Sequence, residues 1–140
     1  MCAAHCDACK KVKYKSGCVI RDNATEILDQ LIAAGVIVMA SPIYCWSFTG
    51  CMSSIMDRTY SLLLGEGKNL LAGKKFVGLF TSGGDHFDGM ELCVTALKHF
   101  VQFANADYVG TISAAHCKDP SKLKKDKHLS KDINQLVNSL

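Results

Sequence analysis

Two groups of residues in this 140-residue chain have the types and spacing for chemistry. Cys2, Cys6, Cys9 and Cys18 form a C-x3-C-x2-C-x8-C pattern. Four thiolates so placed can hold an iron-sulfur cluster, or zinc in tetrahedral sulfur coordination. Unbound thiols are the third alternative, and His5 is either a substitute ligand or an isolated surface histidine. The second group is Ser41-Pro42-Ile43-Tyr44-Cys45-Trp46-Ser47-Phe48-Thr49-Gly50, where aromatic rings and small hydroxyls follow an apolar run. A planar cofactor can stack there and be held by backbone groups. The alternative is a loop in which Tyr44 and Trp46 simply cover the core. Thr81-Ser82-Gly83-Gly84 repeats the placement after a second apolar run, either as one edge of a binding site or as a plain turn.

The elements that must position these residues alternate in type. Asn23 or Thr25 is the expected cap of a helix carrying Ile27, Leu28, Leu31 and Ile32, with Gly35 closing it. Val36-Ile37-Val38-Met39-Ala40 reads as a buried strand, because an unbroken apolar run is what a parallel strand covered on both faces requires. Ser41-Pro42 should end it. A helix follows from Thr49 to about Leu64, broken by Gly65-Glu66-Gly67. Phe76–Phe80 is the next strand, Met90–Ala104 the next helix and Tyr108–Ile112 the third strand. Asp119-Pro120 has the form of a helix start, and Leu129, Ile133, Leu136, Val137 and Leu140 make one apolar stripe of a closing amphipathic helix. Strand, helix and parallel strand in succession imply an open, doubly wound α/β sheet whose ligands bind at the strands' carboxyl ends. Ser41–Thr49 and Thr81–Gly89 then share one rim.

Composition excludes several functions. With 16 Lys+Arg against 13 Asp+Glu the net charge is +3, too small and too scattered for a nucleic-acid footprint. The longest apolar stretch, Leu31–Ile43, is shorter than a membrane span needs. The N-terminus shows no basic start followed by an apolar segment, so a cytoplasmic protein is expected, its eight cysteines being reduced thiols, metal ligands or cluster ligands rather than disulfides. Cys45, Cys51, Cys93 and Cys117 read as small core residues. Lys118, Lys122, Lys124, Lys125, Lys127 and Lys131 alternate with Asp119, Asp126 and Asp132 as a solvated face. A P-loop, a Gly-x-Ser-x-Gly elbow and a His-Glu-x-x-His motif are all missing, and a Cys93–His116 hydrolase pair has only residue types in its favour.

The ordered run Gly35–Tyr44, Thr49-Gly50 and Met56-Asp57-Arg58-Thr59, with Cys6-Asp7-Ala8-Cys9, Gly17–Asp22 and Thr81–Gly84, resembles the flavodoxin-like NADPH-dependent FMN reductase family and its iron-sulfur flavoprotein branch. The resemblance implies one flavodoxin-like domain over residues 1–140: a doubly wound parallel sheet with helices on both faces and a Cys-rich N-terminal segment, residues 1–22. It implies FMN held by Ser41, Pro42, Ile43, Tyr44, Cys45, Trp46 and Ser47, with Ser82, Gly83 and Gly84 along its other edge. NAD(P)H would be the donor, and no individual catalytic side chain is designated. Backbone N–H groups near the ring would stabilise reduced, anionic flavin. Asp57 and Arg58 would fix their helix rather than do chemistry.

Three departures from the family pattern shape these expectations. Such proteins begin with a strand and a Gly- and Ser-rich loop whose following helix binds the FMN phosphate. The chain opens instead on the cysteine segment, so the expected domain lacks that N-terminal unit. Val36–Ala40 would then have an unpaired edge, and either a second copy or a partner chain covers it or the chain is an incomplete gene product. Trp46 stands where a glycine is usual, and Cys45 where an aromatic residue is usual, so the indole either closes over the flavin or obstructs it. Cluster-bearing members use a tighter C-x2-C-x2-C start, which would put the first ligand at Ala3; flavin-only members also keep a Cys-x-x-Cys and a later Cys before Val-Ile. The function implied is a flavin-dependent oxidoreductase passing electrons from a nicotinamide through FMN to an unknown acceptor. The alternatives are a non-enzymatic FMN or iron-sulfur electron carrier, or a cofactor-free homologue.

Overall fold

A computed structural model describes residues 20, 22–64, 69–117, 119–123 and 126–140. Cys2, His5, Cys6, Cys9 and Cys18, the Gly65-Glu66-Gly67 break, and Lys118, Lys124 and Lys125 lie outside the described residues. The elements are α1 (Ala24–Ala33), β1 (Val36–Tyr44), β2 (Ser47–Phe48), α2 (Gly50–Leu64), β3 (Lys75–Thr81), α3 (Met90–Phe103), β4 (Asp107–Ala114), α4 (Pro120–Leu123) and α5 (Lys127–Val137). The sheet runs β2-β1-β3-β4. β1 pairs with β3, and β3 with β4, in parallel, while β2 folds back on β1 as an antiparallel hairpin. The α/β alternation expected from the apolar runs is thus present.

Two close approaches show that helices cover both faces. A Cβ on Gly78 would stand 3.0 Å from Leu97 Cδ2 of α3, and one on the β4 residue Gly110 would stand 2.9 Å from Leu136 Cδ1 of α5. Gly110 lies opposite Val77, the residue next to Gly78, and successive strand residues face opposite ways. The main core occupies the α3 side, where Leu28, Ile37, Met39, Leu62, Phe76, Phe80 and Leu97 meet.

β1 departs from expectation twice. Its residues alternate exposed and buried from Val36 to Tyr44, so it is covered on one face only. Ile37, Met39 and Ile43 enter the core, whereas Val38 is 56% exposed. The reason is that α5 reaches the far face at β4, and no described helix covers that face at β1. The strand also continues through Ser41-Pro42 rather than ending there. Proline is tolerated because β1 lies near the sheet edge; its outer side pairs, among the described residues, only with β2 at Ile43 and Tyr44.

Local capping also differs from expectation. Asp22 Oδ1, not Asn23 or Thr25, accepts the first helical N–H of α1, from Ala24 at 3.1 Å. Gly35 does not take the left-handed form at the other end; Lys74 Nζ donates to the carbonyls of Ile32 at 2.7 Å and Ala34 at 2.6 Å instead. The expected C-terminal helix is two helices. Asp119 Oδ1 accepts from Ser121 N; hydrogen bonding from the Ser121 side chain, and then from its backbone, holds the Asp119 carboxyl below the ordinary value, and Asp126 Oδ1 caps α5 by accepting from His128 N and Leu129 N. Of the α5 stripe, Leu136 reaches the sheet, while Ile133, Val137 and Leu140 remain exposed.

Arg58 anchors α2, the role expected of it. Nη1 and Nη2 donate to the two carboxylate oxygens of Asp22 at 2.9 and 3.0 Å, and Nη2 also to Ile20 O at 3.1 Å. The guanidinium holds the Asp22 carboxyl below its ordinary value. Asp57 is exposed. No helix among the described residues is long and apolar enough to cross a membrane.

Candidate functional site

Pro42 lies opposite Thr81 in the parallel β1–β3 pair, so the loops that follow leave the sheet side by side at its carboxyl end. That is where open α/β sheets bind ligands. The expected site residues divide into those that hold the loops and those that face outward. Ser41 is buried: its Oγ accepts from Thr49 N at 3.2 Å and donates to Pro42 O at 2.8 Å. Thr49 Oγ1 in turn accepts from Met52 N at 3.3 Å, satisfying the first turn of α2 from within. Ile43 is part of the core. Ser82 is also buried, its Oγ donating to Gly84 O at 3.1 Å. Its backbone is bound to the end of β4: Ser82 N donates to Ala114 O, Cys117 N to Ser82 O, and His116 N to Gly84 O.

Pro42, Tyr44, Cys45, Trp46, Ser47 and Gly83 are exposed on this rim. Tyr44 and Trp46 are 66% and 65% exposed. They do not fill the core, so the loop-filling alternative does not describe them. Cys45 and Trp46 form the two-residue tip between Tyr44 and its partner Ser47, with φ of 49° and 59°. Positive φ at both central positions suits the twist of a tight hairpin, which is why Asn-Gly is favoured there. A side chain in this conformation costs roughly 1–2 kcal/mol per residue, so something must hold the tip.

The holder lies in the second loop and was not singled out from the sequence. Gly89, with φ of 97°, caps α3. A Cβ there would run into Trp46 Cα and stand 2.9 Å from Trp46 Cβ and 3.1 Å from Trp46 C. The signal available was a glycine just before an apolar helix, a position that Ser, Thr, Asn and Asp dominate. The loop before it is braced by its own acids: Asp85 Oδ1 accepts from Phe87 N at 2.7 Å, and Asp88 Oδ2 from Asp85 N at 3.2 Å. The Asp88 carboxylate lies where a Gly84 Cβ would be, whereas the same position on Gly83 is open. Glu91, in the first turn of α3, keeps a buried Oε2 with no hydrogen-bond partner among the described residues.

The cysteine expectation holds for one of four. Cys93 is buried, and burial, then the charge of Glu91, push its thiol up. Cys45 and Cys51 are exposed and Cys117 is half-buried, because the first sits at a turn tip, the second on the outer face of α2's first turn and the third in the loop after β4. His116 is exposed while Cys93 is sealed in the core, which gives no support to a hydrolase pair. Among the described residues no group of three or more His, Cys, Asp or Glu side chains could hold a metal ion.

A family model for NADPH-dependent FMN reductase matches residues 3–119. The chain belongs to this family. An iron-sulfur flavoprotein of Methanocaldococcus jannaschii is 33% identical over 97 residues, covering 69% of this chain and 46% of the relative. The chain spans about half the length of the curated relatives it matches. Among solved structures, the Trp repressor binding protein from Bacillus subtilis aligns over 79% of this chain and 68% of its own, with a TM-score of 0.67 at 18% identity. General stress protein 14 from Treponema denticola, in complex with FMN, aligns over 86% and 75%, with a TM-score of 0.64 at 15% identity. The fold is flavodoxin-like.

The rim accords with the ring of a flavin. Gly83 leaves backbone open to close approach by a planar group, and Tyr44 and Trp46 present uncovered aromatic rings on the same rim. The hydrogen bonds of Ser41, Ser82 and Thr49 keep both loops in place without occupying the outward surface.

Proposed function

We propose that this chain binds FMN at the carboxyl rim and works as an NAD(P)H-dependent oxidoreductase that passes electrons to an acceptor not yet identified. The observation that carries this is the open backbone of Gly83 on the same rim as the exposed Tyr44–Ser47 loop, in a member of the FMN reductase family. When bound, FMN supplies hydride acceptance from the nicotinamide and electron delivery to the acceptor. The protein's own part is to orient and cover. Pro42, Tyr44, Trp46 and Ser47 offer contact to one edge of the ring and Gly83 to the other, while Ser41, Ile43 and Ser82 hold those contacts from behind. Cys45 and Gly84 complete the two loops. The four thiols Cys2, Cys6, Cys9 and Cys18 are the proposed ligands of an iron-sulfur cluster, supported by their spacing and by the name of the archaeal relative. A reducing compartment, the cytoplasm, suits the unpaired thiols of Cys45, Cys51, Cys93 and Cys117.

The test is an anaerobic absorbance spectrum of the purified chain with FMN, iron and acid-labile sulfide quantified, followed by steady-state NADPH oxidation with FMN added. Near one-to-one flavin with NADPH turnover is expected, together with iron and sulfide. Flavin without turnover makes the chain a carrier rather than a reductase. A colourless protein that takes up no added FMN overturns the flavin site.

We also propose that a second copy covers the outer edge of β1. Val36–Ile43 carries no charged residue, the usual guard of an edge strand. Antiparallel pairing about a two-fold axis lets the strand meet its own copy and shelter Val38. Light scattering after size exclusion should give twice the chain mass, and Val38→Lys should give the single mass. A wild-type monomer across the micromolar range sinks this proposal.

A further inference from the structure

We infer that Gly89 is a positioning residue for Trp46, locking the tip of the β1–β2 hairpin to the start of α3. Three observations converge. Cys45 and Trp46 both hold positive φ without being glycine, so the tip is strained by itself. The atoms a Gly89 side chain would strike first are Trp46 Cα, Cβ and C, and backbone cannot swing aside as the end of a long side chain can. Gly89 itself has φ of 97°, so the position excludes a side chain for a second, independent reason. Gly89 is not mobile scaffolding either. It opens a helix whose Met90, Cys93, Leu97 and Val101 are all buried, and the loop before it is tied to the end of β4 through Gly84 and Ser82.

The hairpin tip is therefore referenced to the core through a glycine contact, and the two rim loops move as one body. That sets where the indole stands. The Trp46 backbone and Cβ lie against Gly89, while the indole beyond them remains 65% exposed and Phe48, two residues on, packs on Phe80. The consequence for a flavin rests on the function proposed above: a fixed indole is a preorganised wall for the ring, and a loose one is not.

Trp46 is the only tryptophan of the chain, so its emission reports on this contact directly. Gly89→Ala in the full chain should shift that emission and its quenching by acrylamide without any flavin present, and should raise the dissociation constant for FMN at least about tenfold. Gly73→Ala is the matched control. Gly73 has φ of 69° and open space around its Cβ position, at the opposite end of β3, so it carries the backbone strain without the contact. It should lower the melting temperature and leave Trp46 emission and FMN affinity as they are. If Gly89→Ala does no more than Gly73→Ala, the inference is wrong. Should Gly89→Ala fail to fold by circular dichroism, native-state hydrogen exchange of the wild type decides: the hydrogen-bonded amides of Thr49, beside the tip, and of Glu91 and Cys93, at the start of α3, should open together, and a Thr49 amide that exchanges freely while those of Glu91 and Cys93 stay protected overturns the positioning. A wild type that binds no FMN sinks the proposed function, whereas the emission and exchange results still rule on Gly89.

Discussion

Truncating Phe80 to alanine should cost about 3–5 kcal/mol of folding stability, the usual range for deleting a buried phenylalanine. Phe80 is fully buried in the middle of the sheet, on the main core face. A domain of this kind has only about 5–15 kcal/mol in total, so the variant should melt roughly 10–20 °C lower. The effect reaches the rim by a short path. The Phe80 ring packs against Phe48 of β2, with centroids 5.4 Å apart and planes tilted by 56°, and Phe48 follows Ser47 directly. Removing one ring releases the other, and with it the short strand on which the Cys45–Trp46 tip is mounted. FMN affinity of the residual folded protein should therefore fall as well. Phe80→Leu, which keeps most of the volume, should retain the greater part of both properties. Urea unfolding followed by far-UV circular dichroism measures the first effect, and a loss below about 1 kcal/mol for Phe80→Ala would mean that the core is not packed around this ring.

The difference between what periodicity reveals and what contact reveals is visible in single elements. Phe76–Phe80 and Tyr108–Ile112 announce themselves as strands because their side chains are apolar whatever lies beside them, and the parallel order of β1, β3 and β4 follows from the helices between. The rim position of Pro42–Ser47 and Thr81–Gly84 is then a matter of chain direction. The one-sided burial of β1 is not legible in the same way. An apolar run says that a strand can be covered on both faces, but whether a helix reaches the second face depends on where α5 packs. The same limit hid Gly89, whose role is a property of a pair: nothing around it in sequence mentions Trp46. Ser41 and Ser82 look like ligand contacts by type, and only geometry shows their hydroxyls turned inward to hold Pro42, Thr49 and Gly84. In the Lys-rich tail, Asp119 and Asp126 can both start a helix, and both do, which divides one expected helix into two.

Replacing Gly78 by valine should abolish cooperative folding of the domain, and the milder Gly78→Ala shows why. An alanine Cβ at this point of β3 would lie 2.5 Å from Thr111 Oγ1, 3.0 Å from Leu97 Cδ2 and 3.1 Å from Phe80 Cε2. None of the three can give way freely. Thr111 is stiff at χ1 and its hydroxyl is bonded to Tyr108 O–H at 2.7 Å, while Leu97 and Phe80 are fully buried. Overpacking of this order costs about 1–3 kcal/mol for one methyl group, and the two further methyls of valine add to it. The cost should be largely recovered in Gly78→Ala combined with Thr111→Ala, which removes the nearest obstacle; the double variant should be more stable than the sum of the two single changes by at least about 0.5 kcal/mol. Additive losses in that cycle would contradict the contact. What Gly78 protects is the depth at which α3 lies on the sheet, and α3 begins with Gly89. A helix lifted off β3 carries Gly89 away from Trp46, so a glycine at the centre of the core and a glycine at the rim serve one purpose, keeping the strained hairpin tip seated where the ring of a flavin would meet it.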